Sequence, residues 1–538
     1  MAVAKLASGS KYQQAIWTEL QKGSGHIVVK AGAGTGKTFT LVGGMERLSR
    51  SLKIFYTAFN KKIVADVAEK IKHLSNVNAS TAHSAGNGCL REDCGAVKAY
   101  EYATVGWVDR AITLFEDQND GGTINSDFLK QDIRKFGIAD LIKWVKETNP
   151  YFKSEEDFIE EAPAFIKGIT KDLDKEAIYQ LAGQLAYKAS MLVLTAAKRG
   201  GRFSYDYTDM IWIPVRLGIV RGRYDVVIID EAQDMNACML ELVRMLCRVG
   251  GRILAVGDTF QSIYAFRGAD SEALERLTRE LNATVFTLPV SYRVPKSGAE
   301  FARQFLPEDA PFEAFEGNRE GLIREDVSQK DFVKECKAGD LVMCRVNRPL
   351  VRQAIKFLTE GRAAFVAGFK IGQRLQKTVK QIEAQRGKFR NPSEMKVALE
   401  EWFEDEKAII EGTRWRDQRK TDEISKLEDN YQCLLAFANS DVTIEAVKLR
   451  MKKLFADPDH KSIDPKKFIC LSSIHRAKGL ESENTWVISD SWGGTSKSTN
   501  EREEKNLQYV ASTRHKNTFS FVEAVGNGDS QDLDEDGE

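Results

Sequence analysis

Residues Ala31 to Thr38 spell AGAGTGKT, a spacing suited to phosphate chemistry. Glycines let successive backbone N–H groups turn toward one point, a lysine adds a cation and a threonine a hydroxyl. The string approaches G-x-x-x-x-G-K-[ST], with Ala31 in place of the first glycine. In this reading Ala31, Gly32, Ala33, Gly34, Thr35 and Gly36 cradle phosphate oxygens, Lys37 reaches the β- and γ-phosphates, and the Thr38 hydroxyl sits on Mg²⁺. A second cluster, Asp230-Glu231-Ala232-Gln233-Asp234, lies far downstream. Asp230 is the candidate Mg²⁺ ligand, and Glu231 the candidate general base for an attacking water. A glycine-rich turn without a ligand does not call for a matching acidic pair, so the two halves together point to ATP hydrolysis.

Both clusters need a buried strand that ends where the chemistry begins. His26 to Lys30 is a short apolar strand entering the loop, and FTLVGGMERL after it has a helical pattern. Tyr224 to Ile229 is a continuous apolar run that delivers Asp230 at its end, as in a parallel sheet covered on both faces. Arg252 to Asp270, RILAVGDTFQSIYAFRGAD, repeats the plan: an apolar strand, Gly257-Asp258, then Gln261 and the aromatic string through Tyr264, Phe266 and Arg267.

The rest of the chain sets limits. Its 538 residues, at one domain per ~150, imply three or four domains, and 42% hydrophobic with 29% charged residues is globular composition. Lys+Arg and Asp+Glu balance at 78 each, yet six acids (Asp529, Asp532, Asp534, Glu535, Asp536, Glu538) crowd the last ten residues. The body is therefore mildly basic, compatible with a polyanionic partner, and the acidic tail, 526–538, is expected to be disordered or to dock a protein partner. The eight cysteines are scattered without C-x-x-C spacing, which argues against zinc or iron–sulfur sites and for reduced thiols. No apolar run approaches ~18 residues, and Met1 to Ser10 lacks an apolar signal core. The expectation is a soluble intracellular protein, cytoplasmic or nucleoid-associated, with no membrane partner.

The segment Ser262-Ile263-Tyr264-Ala265-Phe266-Arg267-Gly268-Ala269 closely resembles motif III of UvrD/Rep/PcrA-type superfamily 1 DNA helicases. Further motifs follow in that family's order. Tyr12 to Ile16 resembles the Q motif, Tyr56 to Lys61 motif Ia, Ser80 to Ser84 motif Ib, Leu288 to Arg293 motif IV, Ser473 to Glu481 motif V, and Glu503 to Arg514 motif VI. The resemblance implies that Arg293 and Arg514 are arginine fingers on the γ-phosphate and that Gln261 reports its state. It further implies that Tyr292 stacks on adenine, Gln13 (or Gln14) reads the adenine edge and Glu481 meets the ribose. Phe59, Asn60, His83, Tyr264, Phe266, Arg267, His475 and Arg476 would contact single-stranded DNA, the aromatic rings by sequence-independent stacking. Four positions depart from the family's usual residues: Phe266 in place of Trp, T-A-F-N-K in motif Ia, Phe39 after Thr38, and Ser291 in motif IV.

The same resemblance implies an α/β fold with two RecA-like parallel-sheet domains, ATP between them, each carrying a mainly helical insertion. The expected boundaries are 1–85 and 200–290 for domain 1A, 86–199 for insertion 1B, 291–368 and 463–525 for domain 2A, and 369–462 for a short charged segment in the 2B position. The basic stripe that opens this last segment (Lys370, Arg374, Lys377, Lys380, Arg386, Lys388, Arg390) is expected either to touch duplex phosphates or to form a solvated helix face. The implied activity is ATP- and Mg²⁺-dependent 3′ to 5′ translocation on single-stranded and junction DNA with unwinding, in replication, repair or recombination. One rival shares the chemistry, a translocase that strips proteins from DNA, and a second comes from another class, a DNA-sensing ATPase subunit serving a partner nuclease.

Overall fold

Continuous apolar runs pair into a six-stranded sheet in the first half of the protein. The computed structural model describes residues 9–95, 98–118, 132–166, 174–263, 272–412, 417–439, 443–456, 465–490, 492 and 501–523. The chain divides into two units, Met1–Pro289 and Val290–Glu538. The strands of the first are β1 (Ile27–Ala31), β2 (Ile54–Ala58), β3 (Val77–Ala79), β4 (Lys98–Ala99), β5 (Ser204–Tyr205), β6 (Tyr224–Asp230), β7 (Cys247–Gly257) and β8 (Thr284–Leu288). A parallel sheet runs in the order β3-β2-β6-β7-β1-β8, while β4 and β5 form a separate ribbon.

Successive side chains on a strand face opposite ways, so each apolar run feeds two cores. Ile27, Val29, Ile54, Tyr56, Val226, Ile228, Leu254 and Val256 join one core with the helices Lys37–Arg47 and Lys61–Lys70. Val28, Phe55, Val227, Ile229, Ile253 and Ala255 join the other, which continues into the helices Ala103–Gln118, Asp132–Thr148 and Lys175–Arg199. The insertion is thus the lid of one sheet face. Because every strand is parallel, the ends of β1, β6 and β7 open at the same edge, where ligands of such sheets bind.

Between the insertion and the sheet lies a buried polar cluster. Lys146 Nζ donates to Asp209 Oδ1 at 2.6 Å and sits 4.4 Å from the Trp212 ring centre. Asp206 accepts from the Thr104 hydroxyl at 2.5 Å, and Thr208 donates to Glu147 at 2.8 Å. Burial pushes the Glu147 carboxyl up to about 7, opposed by the Thr208 hydroxyl.

The second unit contains β9 (Val290–Ser291), β10 (Glu313–Ala314), β11 (Leu322–Val327), β12 (Leu341–Cys344), β13 (Ala364–Ala367), β14 (Phe455–Ala456), β15 (Ile469–Ser473), β16 (Ser482–Ile488) and β17 (His515–Val522). Its main sheet, also parallel, has the order β11-β17-β16-β12-β15-β13-β14. The charged segment after β13 forms the helices Phe369–Arg386, Pro392–Gly412, Asp417–Ala438 and Ile444–Leu454. Leu375, Val379 and Ile382 recur at helical spacing on the first of these, and they share one core with Val342, Val366, Leu471 and Ile488 of the sheet. Leu399, Phe437 and Met451 belong to it too.

The basic stripe of this first helix faces outward: Lys377, Lys380, Lys388 and Arg390 are exposed. Arg386 is paired with Glu401 and Asp405, and Arg374 donates to Asn430 at 2.8 Å. Among the described residues, no helix is long and apolar enough to cross a membrane. The acidic tail lies outside the described residues.

Two outcomes follow from this packing. Phe437→Ala should lower the stability of the second unit by about 3–5 kcal/mol in chemical denaturation, because it opens a cavity in the core that sheet and insertion share. Glu147 has a folded value above the ordinary one, so the stability it contributes is full in acid and is lost as pH rises through about 7. Glu147→Gln, neutral at every pH, should therefore gain on the parent in urea denaturation between about pH 5 and about pH 8.

Candidate functional site

The loop after β1 turns because two of its glycines take backbone angles that other residues avoid: φ is 72° at Gly34 and 84° at Gly36. Gly36 caps the helix Lys37–Arg47 without any side-chain hydrogen bond, so no side chain blocks the N–H groups of the first turn from an anion. Thr35 donates to the Gly32 carbonyl at 3.0 Å, and the Gly32 N–H donates to the Leu288 carbonyl of β8 at 3.2 Å, which ties the loop to the sheet. A Cβ at Gly36 would lie 3.1 Å from Gln13 Nε2. Gln13 is buried, closing a capping box with Ser10 on the helix Lys11–Lys22. That helix is fixed to the phosphate-loop helix by Trp17, whose Nε1 donates to the Thr40 carbonyl at 2.7 Å. Gln14 points elsewhere, donating to the Gly9 carbonyl. Of the two glutamines, Gln13 is the one against the loop.

The acidic half faces this loop. Asp230 ends β6, and Glu231 follows in the left-handed region with φ 51°, a costly conformation for a non-glycine residue. Lys37 Nζ lies 3.4 Å from Glu231 Oε1. Gln233 Nε2 donates to Glu231 Oε2 at 2.6 Å, while Gln233 Oε1 accepts the Asp258 N–H at 2.9 Å. Gln261 in turn donates to Asp258 Oδ2 at 2.8 Å. A continuous hydrogen-bonded path therefore runs from Lys37 and Glu231 at the end of β6 to Gln261 beyond β7.

Burial pushes Asp230 up to about 6, with the neighbouring Glu231 charge adding to it and Lys37 opposing. Asp258 is also raised, by burial first. Among the described residues, three acids stand near one lysine, Lys37, and the donors of the site are hard oxygens. That donor set fits Mg²⁺, with Asp230 and Thr38 as the protein groups that would hold it. Among the described residues, no three His, Cys, Asp or Glu side chains converge as a metal site, so most of the cation's ligands would come from nucleotide and water.

The nucleic-acid candidates of the first unit follow β2 and β3 at the same sheet edge. Phe59 is 36% exposed. Asn60 caps the helix Lys61–Lys70, its side chain accepting from the Lys62 N–H at 2.8 Å, so its oxygen is already engaged. His83 lies in the first turn of the helix Ala82–Cys94, 6.4 Å from the Tyr207 ring, and burial lowers its pKa, keeping it neutral at pH 7. Tyr264, Phe266 and Arg267 lie outside the described residues.

In the second unit, the candidates occupy opposite edges of one sheet. Arg293 is paired with Glu481, and its Nη2 donates to the Thr513 carbonyl at 3.1 Å. Lys516 Nζ lies 3.0 Å from Glu481. Arg514 is buried, its Nε donating to the Val510 carbonyl at 2.8 Å and its Nη2 to the Thr513 hydroxyl. Glu481 and Arg514 stand just before β16 and β17, whereas His475 and Arg476 follow the end of β15, on the short helix Ile474–Ala477. Tyr292 packs against Phe315, ring centres 5.2 Å apart.

Reading motifs in order singled out most of these groups but assigned no role to Tyr56, Gln233 or Asp258. Gln233 stood inside the Asp230-to-Asp234 string, and Asp258 follows an apolar strand in the same manner as Asp230, so both had a signal. Tyr56 opened the motif Ia string, but nothing in that string set its hydroxyl apart from core packing.

The family described as UvrD/REP helicase N-terminal domain matches residues 12–282, and the one described as UvrD-like helicase C-terminal domain matches residues 353–523. A probable DNA helicase II homolog of Rickettsia felis is 26% identical over 280 residues, 50% of this chain and 40% of that protein. The ATP-dependent DNA helicase PcrA of Staphylococcus epidermidis is 24% identical over 300 residues, 53% and 38% respectively. PcrA of Bacillus subtilis is 23% identical over 315 residues, 55% and 40%. The chain spans about two fifths of the length of the curated relatives it matches.

Lys37→Ala should lower nucleotide turnover at least ~100-fold in a phosphate-release assay, because it removes the ammonium that stands beside the loop and pairs with Glu231.

Proposed function

Because the chain belongs to the UvrD/REP helicase family, we propose that it is an ATP-driven motor that moves 3′ to 5′ along single-stranded DNA and couples hydrolysis to duplex unwinding. The observation that carries this reading is the path from Lys37 and Glu231 through Gln233 and Asp258 to Gln261. Gln261 is followed within five residues by Tyr264 and Phe266. The hydrogen-bonded path thus links Glu231, the candidate base, to Gln261, and a short stretch of backbone joins Gln261 to the aromatic residues that would stack on bases.

In this mechanism the N–H groups around Gly34 and Gly36 and the Lys37 ammonium hold the phosphates, and Glu231 accepts a proton from the attacking water. Mg²⁺, held through Thr38 and Asp230, supplies charge neutralisation to the phosphates. Arg293 and Arg514 stabilise charge on the transferred group, Tyr292 and Gln13 recognise adenine, and Glu481 meets the ribose. On loss of the γ-phosphate, Gln261 shifts with Asp258 and passes the change to the DNA-stacking segment. Phe59, Asn60, His83, Tyr264, Phe266, Arg267, His475 and Arg476 grip the strand.

Strand displacement with purified protein, ATP and Mg²⁺ tests the proposal on duplexes carrying only a 3′ or only a 5′ single-stranded tail, with Lys37→Ala as control. Unwinding from the 3′ tail alone is expected. Unwinding from the 5′ tail alone overturns the polarity, and single-strand-stimulated ATPase without unwinding from either tail replaces the helicase reading with the stripping one.

A further inference from the structure

Tyr56 and Asp230 sit on neighbouring parallel strands. In the register of β2 and β6, Tyr56 pairs with Ile228 and Ala58 with Asp230. Tyr56 and Asp230 are therefore diagonal neighbours on the same sheet face, a separation of roughly 7–8 Å between strand positions that only a long side chain bridges. The tyrosine does so: its hydroxyl donates to Asp230 Oδ2 at 2.9 Å. Both residues are buried, at 0% and 1% exposure. The other oxygen, Oδ1, accepts the Glu231 N–H at 2.9 Å. The carboxylate is thus held at both oxygens, and its plane is fixed.

The ring of Tyr56 alone would fill the core between Ile54, Val226 and Ile228, and phenylalanine would do that as well. The hydroxyl is the part that packing does not require. A buried phenol needs a hydrogen-bond partner, and here that partner is the one strand-end acid whose donor set fits Mg²⁺. We propose that Tyr56 is a positioning residue for the metal–nucleotide complex, its hydroxyl orienting Asp230 so that the carboxylate meets Mg²⁺ without first reorganising. The inference rests on the reading of Asp230 as the metal-holding acid. Groups that orient a metal ligand from behind typically account for about 10–100-fold in metal affinity.

The test uses the full chain with Tyr56→Phe, which removes one oxygen and leaves the core volume, and with Asp230→Asn as reference. Mn²⁺ is titrated in the presence of a non-hydrolysable ATP analogue, and free Mn²⁺ is followed by its electron paramagnetic resonance signal. Analogue binding without metal and thermal unfolding without metal are measured alongside. Tyr56→Phe is expected to weaken Mn²⁺ uptake about tenfold while leaving metal-free analogue affinity and unfolding temperature near the parent's. The Mg²⁺ concentration for half-maximal ATPase should rise in parallel. Unchanged Mn²⁺ uptake in Tyr56→Phe, with uptake lost in Asp230→Asn, overturns the role of Tyr56 alone. Unchanged uptake in Asp230→Asn overturns the metal reading beneath it. An equal loss of metal-free analogue affinity and of thermal stability in Tyr56→Phe returns the hydroxyl to a merely structural role.

Discussion

Charge without enough counter-charge governs the candidate nucleotide site. Among the described residues, Asp230, Glu231 and Asp258 are gathered near one cation, Lys37, and burial raises the pKa of both Asp230 and Asp258. Carboxylates in so dry a place persist only when each oxygen is met by a donor. Neighbouring strands and turns provide them: the Tyr56 hydroxyl from β2, the Glu231 and Phe260 N–H groups, and the amides of Gln233 and Gln261. Donors from several elements thus surround these acids, an arrangement that suits a nucleotide bearing its cation.

The sheet makes such a lattice attainable. Parallel strands bring the ends of β1, β6 and β7 to one edge, and parallel pairing requires long crossovers that cover both faces. In each unit these crossovers carry the insertions, and in each the insertion helices complete a core that the sheet begins. Side chains at the strand ends are held by packing that extends to residues more than a hundred positions away in sequence.

Much of this was legible in the sequence, for a physical reason. Phosphate binding needs glycine at positive φ, a lysine and a hydroxyl in fixed succession, so Gly34 to Thr38 announce themselves, and a continuous apolar strand ending in acids announces Asp230. Hydrogen bonds across strands leave no local pattern. Tyr56 reads as core until the register with β6 is known, and Lys146 reads as a surface lysine until Asp209 is found 2.6 Å away. The charged helices after β13 are a related case: their buried positions have helical spacing, but spacing alone does not say which surface they cover. Within their basic stripe Arg386 is matched by Glu401 and Asp405, while Lys377, Lys380, Lys388 and Arg390 stay exposed.

The backbone at Glu231 leads to a different kind of conclusion. A glutamate held at φ 51° sits where glycine or asparagine would rest more easily, at a cost of about 1–2 kcal/mol. Selection for folding alone would erode this residue, and drift toward the relaxed residue types would leave a sturdier protein without this carboxylate beside Lys37. Persistence of glutamate at this position in descendants of the chain would then mark lineages in which that carboxylate is still in use, and its replacement those in which the relaxed backbone has won.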